Sequence, residues 1–368
     1  MTAADCFSQT YAQARQKFTT ACAELGISIE SHLHPLRGAE GEELAIDVAR
    51  SGPLDAKQTL LISSGCHGVE GFCGSAVQIA LLKDKVFQRE ARENNCAVVY
   101  LHAVNPYGFS WLRRWTHENV DLNRNFRDFN QDPEQNSEYA ALHPVMIPDS
   151  WPATWVNRLH LFVYRVMYGR KRLQKAISGG QYSHPDGLFY SGVAPTWSNL
   201  TVREVIRKHA AQCEQLVWID IHTGLGPKGH GERIYSGPAD SPMLGRARGW
   251  WGEGVRSSQE GQSVSVPLSG LMVYSALECS AAQLTALTLE FGTLPETQVL
   301  EALRAEQWVY NNPGADEQQR QRIKQQLRDA FYVDDPQWKD DVLRQASEVA
   351  RQAISGLSHR LTKPAIEN

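Results

Sequence analysis

His67 and Glu70 stand three residues apart and can share one cation, because an imidazole nitrogen and a carboxylate oxygen are both ordinary zinc ligands. They lie in Thr59-Leu60-Leu61-Ile62-Ser63-Ser64-Gly65-Cys66-His67-Gly68-Val69-Glu70-Gly71. The apolar head of this stretch reads as a buried strand. The glycines then let the backbone turn before the helix-like run Ser75–Leu82. The pair is thus expected in a strand-to-helix turn at the C-terminal end of a strand, where open α/β sheets place their ligand sites. A His-x-x-Glu alone also fits a surface histidine beside a glutamate that favours a helix N-terminus. The other polar residues at strand ends decide between the two.

A catalytic zinc takes three protein ligands of nitrogen and oxygen type and keeps one position for water or substrate. Two ligands close together fix the local geometry and a distant third closes the site. His222, at the end of the apolar run Leu216–His222, suits that third place. Asp220 could orient a ligand or, by alternation, face the core as a polar residue. Arg113-Arg114 and Asn123-Arg124 supply donors, which hydrolysis of an acyl bond needs at two places. One is near the carbonyl oxygen that becomes an oxyanion, worth about 3–4 kcal/mol in the transition state. The other is against a substrate carboxylate, which a planar guanidinium binds in bidentate fashion. Glu290 ends a further apolar strand, and buried next to a metal-bound water it would be a general base.

Other candidates read differently. Cys66 is expected to be a small buried residue rather than a thiol nucleophile. His102, His117, His184 and His230 are expected to be solvated or satisfied, although the loop 179–187 that carries His184 could fold over the site as a lid. Gly224-Leu225-Gly226-Pro227-Lys228-Gly229 matches a dinucleotide fingerprint, but Pro227, Gly229 and Gly231 indicate loop where that fingerprint needs a helix. No Walker phosphate loop, Gly-x-Ser-x-Gly elbow or His-Glu-x-x-His helix is present.

The elements that must hold these residues alternate between strand and helix. Phe7, Tyr11, Ala14, Phe18, Cys22 and Leu25 recur at helical steps, so an amphipathic helix is expected up to Gly26. Strands are expected at Ile27–His32, Leu44–Ala49, Thr59–Ser63, Ala97–Ala103, Leu216–His222 and Leu284–Phe291, with a helix after Gly74. The stretch 224–237 reads as loop, and so does 261–270. Asn105-Pro106-Tyr107-Gly108 opens a polar, Arg-rich loop running to Phe126. The segment 127–215, which holds a helix at Trp155–Ile177, reads as an insertion over the site. Helices follow at Pro295–Tyr310 and Asp316–Tyr332, and Asp335 caps a last one. The alternation indicates an α/β sheet covered on both faces, in one domain over 1–368.

The chain has 368 residues, 42% hydrophobic and 21% charged, enough for a large core. A net charge of -4 and a pI near 6.3 give no reason to expect nucleic acid or an anionic membrane as partner. The start at Met1 lacks signal-peptide features and no run of about 18 apolar residues occurs, so a cytoplasmic location is expected. Seven scattered cysteines indicate free thiols. Neither the physiological substrate nor the oligomeric state can be read from the residues.

The set His67-x-x-Glu70, Asn105-Pro106-x-Gly108, Arg114, Val120-Asp121-Leu122-Asn123-Arg124-Asn125-Phe126, Asp220-x-His222-Thr223-Gly224 and Glu290-Phe291-Gly292-Thr293 resembles the zinc carboxypeptidase (M14) metallopeptidases. Within that superfamily it is most similar to the DUF2817 branch, with the succinylglutamate desuccinylase/aspartoacylase enzymes as neighbours. The resemblance implies one zinc ion on His67, Glu70 and His222, with Glu290 as base, Arg114 at the oxyanion, and Asn123 with Arg124 on a substrate carboxylate. It also implies a three-layer αβα sandwich with a mixed, mostly parallel sheet of about eight strands. The substrate-capping tyrosine of the pancreatic-type enzymes has no clear match, and Tyr274 is the candidate for it. A zinc hydrolase cleaving an amide beside a carboxylate-bearing residue is therefore expected, acting on a peptide as a carboxypeptidase or on an N-acyl amino acid as a deacylase. The reading from another class is a non-catalytic carboxylate-binding module.

Overall fold

The computed structural model describes residues 2–132 and 135–358. Positions 133–134 of the 127–215 segment, and 359–368, lie outside the described residues. Eight strands form one sheet: β1 (Ile29–Arg37), β2 (Glu43–Ser51), β3 (Gln58–Ser63), β4 (Cys96–His102), β5 (Gln215–Lys228), β6 (Gly231–Tyr235), β7 (Val255–Ser257) and β8 (Gln283–Gly292). Their order is β1-β2-β4-β3-β5-β8-β6-β7; β4, β3, β5 and β8 run parallel to one another, β2 pairs antiparallel with both β4 and β1, and β6, parallel to β7, pairs antiparallel with β8. Val, Ile and Leu fill the central strands and are buried along them, as expected of a sheet covered on both faces.

The covering helices are α1 (Tyr11–Glu24), α2 (Gly71–Lys83), α3 (Lys85–Glu93), α4 (Pro106–Ser110), α5 (Ser137–Met146), α6 (Trp155–Tyr168), α7 (Arg170–Ser178), α8 (Trp197–His209), α9 (Pro242–Trp251), α10 (Ala276–Cys279), α11 (Glu296–Asn311), α12 (Glu317–Phe331) and α13 (Pro336–Ser358). With the sheet they make the covered α/β sheet expected from the alternation and the αβα sandwich that the resemblance implies. Helix α13 starts on Pro336 with the Asp335 carboxylate accepting the Trp338 N–H, as its composition predicts. A smaller apolar cluster, built from α5, α7, α11 and α12 with Phe189, stands beside the main core. Among the described residues, no helix is long and apolar enough to cross a membrane.

Three expectations shift. The helix predicted over Trp155–Ile177 is two helices, broken at Gly169 where φ is 80°. The helix predicted after Gly74 begins at Gly71. The larger change is in 224–237: β5 continues through its glycines to Lys228, and Gly231–Tyr235 is a strand antiparallel to β8. Glycine content suggests a loop there, but pairing with β8 on both sides supplies hydrogen bonds that outweigh the poor strand propensity.

The order places β3 between β4 and β5, so the chain leaves β3 toward one side and returns to its other side. The crevice at the carboxyl ends of β3, β5 and β8 is where this topology puts a ligand. Register fixes what lines it. Ser63 pairs with Asp220 and His222 with Glu290. Because residues two apart on a strand share a face, Trp218, Asp220 and His222 point the same way as Ser63 and Glu290.

His102, at the end of β4, is fully buried, stacked on Phe18 with ring centroids 4.4 Å apart and with Nε2 2.9 Å from Ser75 Oγ. Burial pushes its pKa down from 6.5 to about 4. Between those values the unfolded chain binds a proton that the native state refuses, so this residue's contribution is complete above pH 6.5 and lost as pH falls toward 4. Unfolding by denaturant across that window is expected to show His102→Gln losing less stability on acidification than wild type. The difference should be on the order of 3 kcal/mol.

Candidate metal centre

The turn after β3 is set by its backbone neighbours. Gly68 N–H donates to Arg114 O and Val69 N–H to Arg113 O, at 3.1 and 3.0 Å. The side chain of Asn105 accepts the Gly108 N–H at 2.9 Å and donates to Arg114 O at 3.2 Å. The Asn-Pro-x-Gly element thus ties the Arg-rich loop to the His67–Glu70 turn. A Cβ at Gly68 would collide with the Gly108 and Arg113 backbone, which is why glycine is required there.

His67, Glu70 and His222 converge. His67 Nδ1 lies 2.8 Å from Glu70 Oε1, His222 Nδ1 lies 2.9 Å from Glu70 Oε2, and the two Nδ1 atoms face each other at 3.2 Å. All three side chains are buried. Each imidazole turns its other nitrogen to a carboxylate: His222 Nε2 is 2.6 Å from Asp220 Oδ2, and His67 Nε2 is 3.2 Å from Asp121 Oδ1. Ser63 Oγ donates to Asp220 Oδ1 at 2.6 Å and itself accepts the Trp218 indole N–H at 2.7 Å. Asp220 therefore faces the core and also holds a ring, so both readings of its alternation apply.

This donor set fits a metal ion. A four-coordinate zinc with bonds of about 2.0–2.1 Å keeps its ligand atoms roughly 3.3 Å apart. The separations here are 2.8, 2.9 and 3.2 Å. Carboxylates behind both rings are the usual outer partners of ligating histidines. His67, Glu70 and His222 are the residues that could hold the ion. Cys66 with Asp220 and His222 makes a second possible grouping. However, burial, followed by Asp220, Asp121 and Glu70, pushes the Cys66 thiol well up and keeps it protonated.

The electrostatics point the same way. Burial would raise the Glu70 pKa, but His67 and His222 outweigh it and hold the carboxyl well below its usual range. Burial likewise opposes ionisation of Asp121, and Arg114 and His67 overcome it. For His222, burial disfavours the charged ring, and Asp220 with Glu70 outweigh it, keeping its pKa well above 6.5. Glu290 goes the other way: burial first, then the Glu70 charge, push it up to about 7. Its Oε1 accepts the Leu225 N–H at 2.9 Å.

Arg114 and Arg113 are now distinguishable. Arg114 donates to Glu70 Oε1 at 2.9 Å and to Asp121 Oδ2 at 3.2 Å, with Nη2 2.8 Å from His67 Nε2. Arg113 turns away, to Glu306 at 2.8 Å, Asn119, and the Tyr310 ring 3.7 Å beneath it. Arg124 spends three of its N–H groups on the Ser178 and Asn123 carbonyls, and Asn123 Oδ1 accepts the Met272 N–H.

One pocket is lined by His67, Glu70, Arg114, Asn123, Arg124, His222 and Glu290 together. Leu173, Ile177 and Phe189 from the 127–215 segment, with Leu303 and Phe331, make an apolar wall for it. Tyr274 is not brought there: it packs on the main core, with its hydroxyl at the Ser236–Gly237 backbone. His184 stacks on His143 at 4.1 Å, away from the pocket, and of the loop that carries it only the preceding Ser178 reaches the lining.

Two residues escaped the sequence reading. Asp121 stood in a quoted motif without a role, and its two-residue offset from Asn123 was the available signal. Phe189 carried none: it holds φ 52°, unusual for an aromatic residue, and lies 5.2 Å from the Arg114 guanidinium and 5.9 Å from that of Arg124.

The profile of the family described as "Protein of unknown function (DUF2817)" matches residues 7–345. No curated protein matches the chain. Among solved structures it is similar to bovine thrombin-activatable fibrinolysis inhibitor in complex with tick carboxypeptidase inhibitor. That match is 11% identical, covers 95% of this chain and 97% of that one, and has a TM-score of 0.50. Carboxypeptidase A from Helicoverpa armigera is 13% identical over 88% and 74% of the two chains, with a TM-score of 0.46. A metallo-carboxypeptidase from Burkholderia cenocepacia is 12% identical over 94% and 68%, also at 0.46. At these identities the likeness is one of fold.

The turn's dependence on a bare backbone can be measured. Gly68→Ala is expected to lower unfolding free energy by about 1–3 kcal/mol through overpacking. Gly245→Ala in α9, where an added methyl meets nothing within 4 Å, should leave stability unchanged or slightly raised under the same denaturant titration.

Proposed function

The chain belongs to the DUF2817 family, and from that premise we propose that it is a zinc-dependent hydrolase cleaving an amide bond next to a carboxylate-bearing residue, in the manner of a metallocarboxypeptidase. The observation that carries this reading is the meeting of His67 Nδ1, His222 Nδ1 and the Glu70 carboxylate within 3.2 Å, each ring backed by its own carboxylate. We read 1–368 as a single catalytic domain, with 127–215 as the segment that walls its pocket.

Zinc bound by His67, Glu70 and His222 would supply a Lewis acid for a carbonyl and for a water molecule. Everything else falls to the chain's own side chains. Asp121 beside His67 Nε2 and Asp220 beside His222 Nε2 would each accept that ring's N–H, leaving both Nδ1 lone pairs for the ion. Glu70 and Asp121 hold Nη1 and Nε of Arg114, and its Nη2, beside His67, is the donor placed to meet the oxygen on which negative charge grows. Glu290 Oε1 is occupied by the Leu225 N–H, which leaves Oε2 to accept a proton from the attacking water and return it to the departing amine. Arg124 keeps two N–H groups beyond its carbonyl bonds, and Asn123 keeps its amide NH₂, to hold a substrate carboxylate. The Ser178 and Asn123 carbonyls fix the Arg124 side chain and the Met272 N–H fixes that of Asn123, so little rotamer freedom is lost on binding. Tyr274 takes no part in this scheme.

A second reading, an N-acyl amino acid deacylase of the aspartoacylase/desuccinylase type, is favoured by one observation. Arg165, Leu173 and Ile177 of α6 and α7 line the same pocket as the catalytic candidates, so the segment 127–215 closes part of what would be an open peptide groove.

Amine release by the zinc-loaded protein should be measured on a peptide with a free C-terminus and on a panel of N-acyl amino acids. Turnover of either class, reduced about 10²–10⁴-fold by Glu290→Gln with zinc retained, is the expected result. Peptide turnover assigns a carboxypeptidase and turnover of the acyl compounds alone a deacylase. Ligand binding without turnover in wild type would instead make the protein a carboxylate-binding module. Asp220→Asn is expected to weaken zinc affinity by about 10–100-fold, because the His222 ring loses the partner that orients it. Competition against a chromophoric chelator reads that change directly.

A further inference from the structure

Helix α6 has no buried residue along its length. An ordinary surface helix turns one apolar stripe inward and a polar face outward, whereas α6 is apolar on both. Leu161 and Tyr164 pack against the smaller apolar cluster, and the opposite face points to solvent. That outer face is itself apolar: Trp155 is 75% exposed, Phe162 64%, Val166 67% and Met167 67%, with Leu159 and Val163 between them. Steps of four, three and four residues from Trp155 through Leu159 and Phe162 to Val166 make this one continuous stripe. Together these side chains expose on the order of several hundred Å² of apolar surface, the size that marks an interaction site on a protein otherwise folded to hide such area.

The charge around the stripe is one-sided. Residues 150–185 contain no Asp or Glu, yet carry Arg158, Arg165, Arg170, Lys171, Arg172 and Lys175. Arg158, Arg170 and Arg172 face Glu301, Glu296 and Glu138 from elsewhere in the chain. Arg165, Lys171 and Lys175 have no carboxylate partner among the described residues. The acidic net charge of the whole chain averages over this basic patch.

We propose that the outer face of α6 is a docking surface for an anionic phospholipid bilayer. A helix with Trp, Phe and Leu on one face and Arg at its flank lies in the plane of a membrane interface, its apolar side among the acyl chains and its cations at the lipid phosphates. Fourteen residues give about 21 Å of helix, too short to span the hydrocarbon core but suited to lying on it. A second copy of the chain fits less well. Arg158 and Arg165 stand seven residues apart on the same flank of the stripe, so an antiparallel self-pairing sets Arg165, which has no carboxylate partner among the described residues, against Arg158, which Glu301 already holds. Arg165 and Arg170 also line the pocket, so the docked helix borders it.

The full chain should be co-sedimented with vesicles of phosphatidylcholine alone and of phosphatidylcholine with phosphatidylglycerol, at low and high salt. Its oligomeric state should be followed by sedimentation velocity without lipid. Wild type is expected to bind the anionic vesicles, more weakly as salt is raised, and at least tenfold more tightly than the Phe162→Asp/Val166→Asp variant. Both replaced side chains are exposed, so circular dichroism and the unfolding midpoint should not move. No vesicle binding by wild type, or equal binding by the folded variant, overturns the proposal. So does a wild-type dimer that the variant abolishes without any affinity for lipid.

Discussion

Glu70, Asp121, Asp220 and Glu290 all lie buried around the crevice that β3, β5 and β8 frame, and an interior cannot hold that many carboxylates without positive charge beside them. The protein answers with two histidines and Arg114. That answer leaves a residue of conflict, since two Nδ1 atoms meet at 3.2 Å over one carboxylate and His67 Nε2 is placed both to accept from Arg114 and to donate to Asp121. A single cation among His67, Glu70 and His222 would resolve it, because it would take the lone pairs of both Nδ1 atoms and leave both ring protons on Nε2. Glu290 has no cation bonded to it, and burial with the Glu70 charge beside it pushes it up to about 7.

The fold exists, for this purpose, to fix distances that flexible chains would not keep. Parallel register sets His222 against Glu290 and Ser63 against Asp220, so three of the groups are placed by the sheet rather than by side-chain choice. The remaining groups come from two loops locked to each other through the Gly68, Val69 and Asn105 hydrogen bonds to the Arg113–Arg114 backbone. The cost of a methyl group at Gly68 measures how closely the two approach.

Much of this was legible because it follows from strand ends and spacing. The apolar runs before Ser63, His222 and Glu290 identified their strands, and placement at strand ends then told where their polar residues would gather. What escaped follows from long-range context. Whether Asp220 served core or site could not be decided by alternation, since both lie on the same side of the sheet. Gly224–Tyr235 looked like loop because composition reports local propensity, whereas β8 supplies the pairing that overrides it. Phe189 gave no signal, because its meaning lies in two arginines brought to it from some 65 to 75 residues away in sequence. The outward apolar face of α6 was hidden for the same reason, as periodicity reveals a stripe but not which way it points.

Whether His67, Glu70 and His222 form one metal site is open to direct measurement. Elemental analysis of the purified protein after equilibration with zinc and removal of loosely bound ion tests it most directly, in wild type, His67→Ala and His222→Ala. One zinc per chain in wild type, lost in both variants while they stay folded, is the predicted result. A wild-type protein that holds no zinc, or variants that hold as much as wild type, would contradict the account.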